Sequence, residues 1–242
     1  MSAPTTSAQH ELGPSYETTM SPQRLARVTG VMYLVLVGLG MMGPLTLESL
    51  LVPGDAAATA TNVADSTSAF TLSLGAWMVI VAVDVAISLT LYLLLAPAGR
   101  GLSMLSAAFR LTYSVALAAL LVHLFVAYQL LTPVGTAGPR DEQQALASLE
   151  TFSAGFLVAL VFFGIHLVLL GVLFYRSRYI PRVLGGLLVA AGVGYVIDSL
   201  ASLLVDGYGG YLAAVLLTPA VLGEVGLTLW LLIKGVSTTA RD

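Results

Sequence analysis

The sequence predicts an all-α, polytopic membrane bundle of about six transmembrane helices with both termini in the cytoplasm. Three observations point there: charges too few to coat a water-facing surface, six apolar runs of bilayer-spanning length, and basic residues concentrated in alternate connectors. Of 242 residues 57% are hydrophobic and 10% charged, where a soluble domain carries about a quarter charged residues. Mean hydropathy is +0.92. Lipid offers the backbone no partner, so each run must satisfy its own N–H and C=O groups as a helix. A membrane barrel would need short alternating segments, and these runs are continuous.

Residues 1–23 are rich in Ser, Thr and Pro and lack apolar periodicity. They read as a disordered tail and not as a cleaved signal, because no basic stretch leads directly into an apolar core. The transmembrane domain then occupies 24–236, with spans at about 28–51, 70–96, 102–131, 152–175, 183–205 and 211–233. At about 1.5 Å per residue each crosses roughly 30 Å of hydrocarbon. Residues 237–242 form a C-terminal tail. Pro44 in the first span and Pro219 in the sixth predict kinks, because proline removes a backbone donor and crowds the preceding turn. Ahead of the fourth span, Pro139 followed by Asp141 and Glu142 predicts a helix start near Arg140, outside the bilayer. In the fifth, Gly186, Ala190, Gly194, Asp198 and Ser202 recur every four residues as a stripe that allows close helix approach and turns Asp198 towards a neighbour.

Orientation follows from the bases. Arg24, Arg27, Arg100, Arg176, Arg178, Arg182, Lys234 and Arg241 fall on one side, and Asp55, Asp65, Asp141, Glu142, Glu150 and Asp206, with Arg140 as the sole base, fall on the other. The positive-inside rule places both termini in the cytoplasm, in the cell membrane. The connector Tyr175–Arg182 sets two tyrosines beside Arg176, Arg178 and Arg182, a cytoplasmic basic interface. It serves either as a topology anchor or as a contact for lipid headgroups or a partner.

Composition also excludes functions. A net charge of −3 gives no basic field for nucleic acid. With no cysteine there is no disulfide, no Cys-held zinc, no iron–sulfur cluster and no thiol nucleophile. HExxH, the histidine boxes of di-iron oxygenases, GxSxG and the P-loop are absent, so neither metal nor cofactor is expected. A haem between His123 and His166 needs both at one depth, and helix rise separates them by roughly 13 Å. His10, in the tail, reads as solvated.

Seven ionisable residues fall inside the spans: Glu48, Asp84, Arg110, His123, His166, Asp198 and Glu224. The formal net charge equals that of this embedded set. A charge at the bilayer centre costs at least about 2.5–3.5 kcal/mol on insertion scales, so several together require partners or a role. Asp84, His166 and Glu224 fall near the midplane, and Arg110, about 10 Å towards the cytoplasm, reaches back on its long stem. These four are the candidates for a polar core. His123 and Asp198, in the outer half, are secondary, and Glu48 lies at the outer interface. Two readings stay open: a buried ion pair of Arg110 with Asp84 or Glu224 that ties helices together, or a polar cavity handling protons or a ligand.

Several segments carry a resemblance: Arg27-Val-Thr-Gly-Val-Met-Tyr33, Phe109-Arg110-Leu111, Tyr175-Arg-Ser-Arg-Tyr-Ile-Pro-Arg-Val-Leu-Gly185, Gly194-Tyr195 and Gly223-Glu224-Val-Gly-Leu-Thr-Leu-Trp-Leu-Leu-Ile-Lys-Gly235. Together they resemble the bacterial integral membrane proteins grouped as domain of unknown function 4386, over about Arg24 to Val236. The resemblance implies a compact bundle of about six helices in a bacterial inner membrane and draws attention to Arg110, His166 and Glu224. It implies no substrate, cofactor or catalytic residue.

The sequence thus leads to a multi-pass inner-membrane protein with a buried ionisable core, and enzyme chemistry is the less favoured reading. The alternatives are a small proton-coupled carrier or permease, and a membrane enzyme on a lipid or isoprenoid-like substrate with His166 and Glu224 as acid and base. The expected partners are membrane lipids and a small hydrophobic or polar ligand within the bundle. Small-residue stripes serve within and between chains alike, so they fix no oligomeric state.

Overall fold

The computed structural model describes residues 20–132, 138–177 and 180–235. Six helices follow in order among the described residues: α1 (Pro22–Leu50), α2 (Ala56–Asp65), α3 (Thr67–Leu131), α4 (Pro139–Arg176), α5 (Arg182–Leu204) and α6 (Tyr211–Ile233). No strand occurs among the described residues. All but the 10-residue α2 are long and apolar enough to cross a membrane. Most of the first tail, the second tail, His10, Arg178 and Arg241 lie outside the described residues.

Local chemistry accounts for the helix limits. Ser21 caps α1 by accepting from the Arg24 N–H at 3.4 Å, and Pro22 fills its first turn. The helix therefore begins inside the stretch that composition alone assigns to the tail. The first loop is not wholly irregular: Asp55 accepts from the Ala58 N–H at 2.9 Å and starts α2, which runs through an alanine-rich segment. Pro139, Asp141 and Glu142 occupy the first turn of α4, whose 38 residues extend past the hydrocarbon thickness. The Gly54 N–H, just ahead of α2, donates to Glu150 Oε1 on that projecting part at 3.2 Å.

The helix α3 is 65 residues long but folds back on itself. Pro97 removes a backbone donor and Gly99 leaves helical geometry at φ 164° and ψ 91°. Beyond it the chain runs antiparallel to its own first half. The Ser88 hydroxyl donates to the Ala107 carbonyl at 2.9 Å and Ser103 to the Tyr92 carbonyl at 3.0 Å, pairs that straddle the bend at nearly equal distances. The apolar runs 70–96 and 102–131 are thus two arms of one hairpin.

Around the bundle the neighbours run α1, α3, α4, α5, α6 and back to α1. Gln23 Nε2 donates to the Lys234 carbonyl at 3.0 Å, which joins the start of α1 to the end of α6. This near end also carries Arg24, Arg27, Arg100, Arg176 and Arg182, while Asp55, Asp65, Asp141, Glu142, Glu150 and Asp206 lie towards the far end. The outer circumference is apolar, with Val31, Leu72, Val115 and Val122 all well exposed.

Where α4 crosses α5 the backbones approach closely. A Cβ on Gly164 would stand 2.7 Å from the Gly192 carbonyl oxygen, and one on Gly185 2.9 Å from that of Gly171. The α5 face that packs holds Gly185, Leu188, Ala191, Gly192, Gly194, Asp198 and Ser199. Ala190 and Ser202, members of the four-residue repeat, are exposed instead. That repeat therefore marks only part of the seam, because α4 and α6 press on α5 from two sides and no single stripe meets both.

Candidate functional site

Asp84 lies on the first arm of α3, Arg110 and Ser114 on the second, and His166 on α4. Arg110 Nη2 donates to Asp84 Oδ1 at 2.5 Å. The other carboxylate oxygen of Asp84 accepts from the Ser114 hydroxyl at 2.5 Å. Arg110 Nη1 donates to the Tyr33 hydroxyl on α1 at 2.8 Å and lies 3.2 Å from His166 Nε2. A guanidinium can only donate, so Nε2 is the acceptor and the proton sits on Nδ1. Nδ1 in turn stands 2.9 Å from the Ser106 carbonyl oxygen. Both ring nitrogens of His166 are thereby occupied. The guanidinium carbon also packs 5.1 Å from the Tyr33 ring centre and 5.3 Å from that of Phe163.

This network is nearly dry. Asp84, Arg110 and His166 are 2%, 0% and 1% exposed, so removal from water must be offset by mutual contacts. The network supplies them for both Asp84 oxygens and for both terminal nitrogens of Arg110. Among the described residues Arg110 Nε has no partner, and neither does Trp77 Nε1 nearby in the same wall. The sequence leaves Asp84 and Glu224 as equal choices for Arg110, and the geometry pairs it with Asp84. The hairpin explains the choice, since it holds the two arms side by side.

Glu224, on α6, is held differently. It accepts from the Tyr195 hydroxyl of α5 at 3.0 Å through Oε1, and Oε2 has no hydrogen bond among the described residues. Its environment is a cavity of about 470 Å³ bounded by α1, both arms of α3, α4, α5 and α6. Asp84, Arg110 and Glu224 are its charged lining, with Tyr33, Trp77 and Tyr113 among its aromatic walls. The rest is mostly aliphatic, including Leu36, Ile80 and Leu160. Met41 of α1 and Val221 of α6 also line it and are 62% and 63% exposed, so it opens sideways between these two helices. Pro44 and Ala220, the residue after Pro219, belong to this wall too.

The other candidates lie apart. Asp198 is buried and accepts from the Tyr208 hydroxyl of the α5–α6 connector at 2.8 Å. His123 is half-buried and makes no hydrogen bond among the described residues. Glu48, Arg176 and Arg182 are exposed, and Arg178 is outside the described residues. No group of three or more His, Cys, Asp or Glu suited to a metal occurs among the described residues. Sequence reasoning assigns none of Tyr33, Ser106, Ser114 and Tyr195 to the site, although Tyr33 and Tyr195 stand in the segments that carry the resemblance. Their hydroxyls are common in apolar helices, and only long-range packing reveals their partners.

Comparison with known proteins gives a relative and a family. An archaeal relative from Archaeoglobus fulgidus, described as an uncharacterized protein, is 32% identical over 158 residues, which is 64% of this chain and 79% of the relative. Relatives therefore extend beyond the bacterial inner membrane that the resemblance implies. No solved structure matches the chain. The family model described as Domain of unknown function (DUF4386) matches residues 28–235, nearly the whole described bundle. With 208 of its residues inside that match and the long apolar helices to go with it, this multi-pass membrane protein belongs to the DUF4386 family.

Proposed function

We propose that this protein is a six-span protein of the cell membrane, with both termini cytoplasmic, that holds a small and largely apolar ligand in the cleft between α1 and α6. The two arms of α3 supply two of the six crossings of the domain at 24–236. The bases gathered at the end where α1 begins and α6 finishes support the orientation. The Asp84–Arg110–His166 network is the frame, and Glu224 is the polar contact offered to the ligand.

One observation carries this reading. A cavity of about 470 Å³ opens towards the bilayer, and the carboxylate on its wall keeps one oxygen without a partner among the described residues. Glu224 is half-buried on the cavity wall, and clefts with apolar walls and a few polar groups are the usual form of small-ligand sites. His166 is spent on Ser106 and Arg110, which disfavours an acid–base pair with Glu224.

The chain has two tryptophans, so Trp230→Phe leaves Trp77 in the cleft wall as the only indole. In vesicles of brominated-chain phosphatidylcholine, Trp77 emission should be strongly quenched. Gly40→Phe should restore it, because Gly40 lines the cleft and a Cβ there meets no other atom within 4 Å. Emission unaffected by the brominated chains would overturn the lateral cleft.

A further inference from the structure

The charge balance of the cleft narrows the ligand further, on the reading just given that the cleft holds one. Its lining contains two acids and one base, Asp84, Glu224 and Arg110. The base and one acid are joined directly, which leaves the pair no net charge. Asp84–Arg110 is the one ion pair among the described residues, so Glu224 faces the cavity with only a neutral phenol bound to it. In surroundings of low dielectric an uncompensated carboxylate attracts a cation far more strongly than it does in water. An anion meets the opposite field, and Arg110 is already engaged by Asp84, Tyr33 and His166.

The walls add a second preference. Two aromatic faces, Tyr33 and Phe163, already receive Arg110. Trp77, Tyr113, Phe156 and Tyr195 remain on the lining. Aromatic faces stabilise weakly hydrated cations such as quaternary ammonium groups, and most strongly where water is excluded. The lateral opening between Met41 and Val221 admits molecules already dissolved in the bilayer.

We propose that the cleft between α1 and α6 is a binding site for lipophilic monocations, with the Glu224 carboxylate as counter-ion and the surrounding aromatic faces as its cage. The ligand class is an amine or quaternary ammonium, or a phosphonium of the same kind, carried on apolar groups.

The test uses full-length Trp230→Phe protein in mild detergent, with Trp77 emission as the readout. The probes are tetraphenylphosphonium, tetraphenylborate of the same shape and opposite charge, and neutral triphenylphosphine oxide. Tetraphenylphosphonium should bind at least about tenfold more tightly than either of the others, the size of one desolvated cation contact. Adding Glu224→Gln should remove that preference, and Glu224→Asp should keep part of it. Equal binding of all three probes, or preference for the anion or the neutral compound, overturns the cation assignment and leaves the cleft itself standing. The charge comparison in otherwise unaltered protein decides this even if Glu224→Gln fails to fold. If none of the three changes Trp77 emission, both the cation assignment and the ligand-holding cleft fall.

Discussion

Arg110 and Glu224 border the same cavity, yet the protein treats the two charges in opposite ways. Arg110 has Asp84, Tyr33 and His166 around it, and Asp84 has Ser114 on its free side. Glu224 has one phenol and an open oxygen. The first arrangement is drawn from α1, α3 and α4 and leaves little for a ligand to add. The second, on α5 and α6, leaves an acceptor exposed to the cleft. A charge whose partners are all supplied by the protein serves the fold, whereas a half-buried carboxylate with an open oxygen keeps an acceptor for a ligand.

Breaking the satisfied side should have the largest effect. Arg110→Met strands Asp84 in a dry site and should lower stability by about 3–5 kcal/mol, the usual cost of removing one partner of a buried pair. Arg110→Met combined with Asp84→Leu should recover most of that loss. Denaturation in mild detergent with a graded harsh surfactant measures both, and equal stability of the single and double variants would show that the pair is not what holds the arms. Next comes Ser114→Ala, which removes one donor from a charged acceptor and should cost about 1.5–3 kcal/mol. Added to the Arg110→Met, Asp84→Leu double variant, the same change should be close to neutral, because no carboxylate is left for Ser114 to serve.

Glu224→Gln sharpens the comparison from the other side. Tyr195 can donate to an amide oxygen as well, so stability should shift by less than about 1 kcal/mol. Retention of a lipophilic cation should be lost at the same time. A large loss of stability would move Glu224 into the frame and end the contrast. The smallest effect is expected at His123→Ala, which touches neither group and should stay within about 0.5 kcal/mol.

The spans were legible because each apolar run is long and uninterrupted, and the start of α4 because Pro139, Asp141 and Glu142 mark it locally. The pairing of Asp84 with Arg110 was half legible: the sequence offers two acids, and only the bend near Gly99 shows which lies alongside. The helix α2 was missed because its alanines and threonines form no apolar stripe of spanning length. Tyr33 reaches Arg110 across 77 positions and Tyr195 reaches Glu224 across 29, separations that no periodicity encodes. The seam of Gly164, Gly171, Gly185 and Gly192 was obscured by the many other glycines in the same helices.

The clasp between Gln23 and Lys234 joins residues 211 positions apart, and it bears on the order in which the protein is made. The Asp84–Arg110 pair forms within one hairpin, so it can neutralise itself as soon as the second arm leaves the ribosome. The cleft lacks one wall until α6, the last of the described helices, arrives beside the first. Domains take shape from the N-terminus during synthesis, which makes the ligand site the final product of assembly. A chain cut before Tyr211 would carry the complete charge network and no closed cleft, so such a fragment separates the frame from the binding site in time as the folded protein does in space.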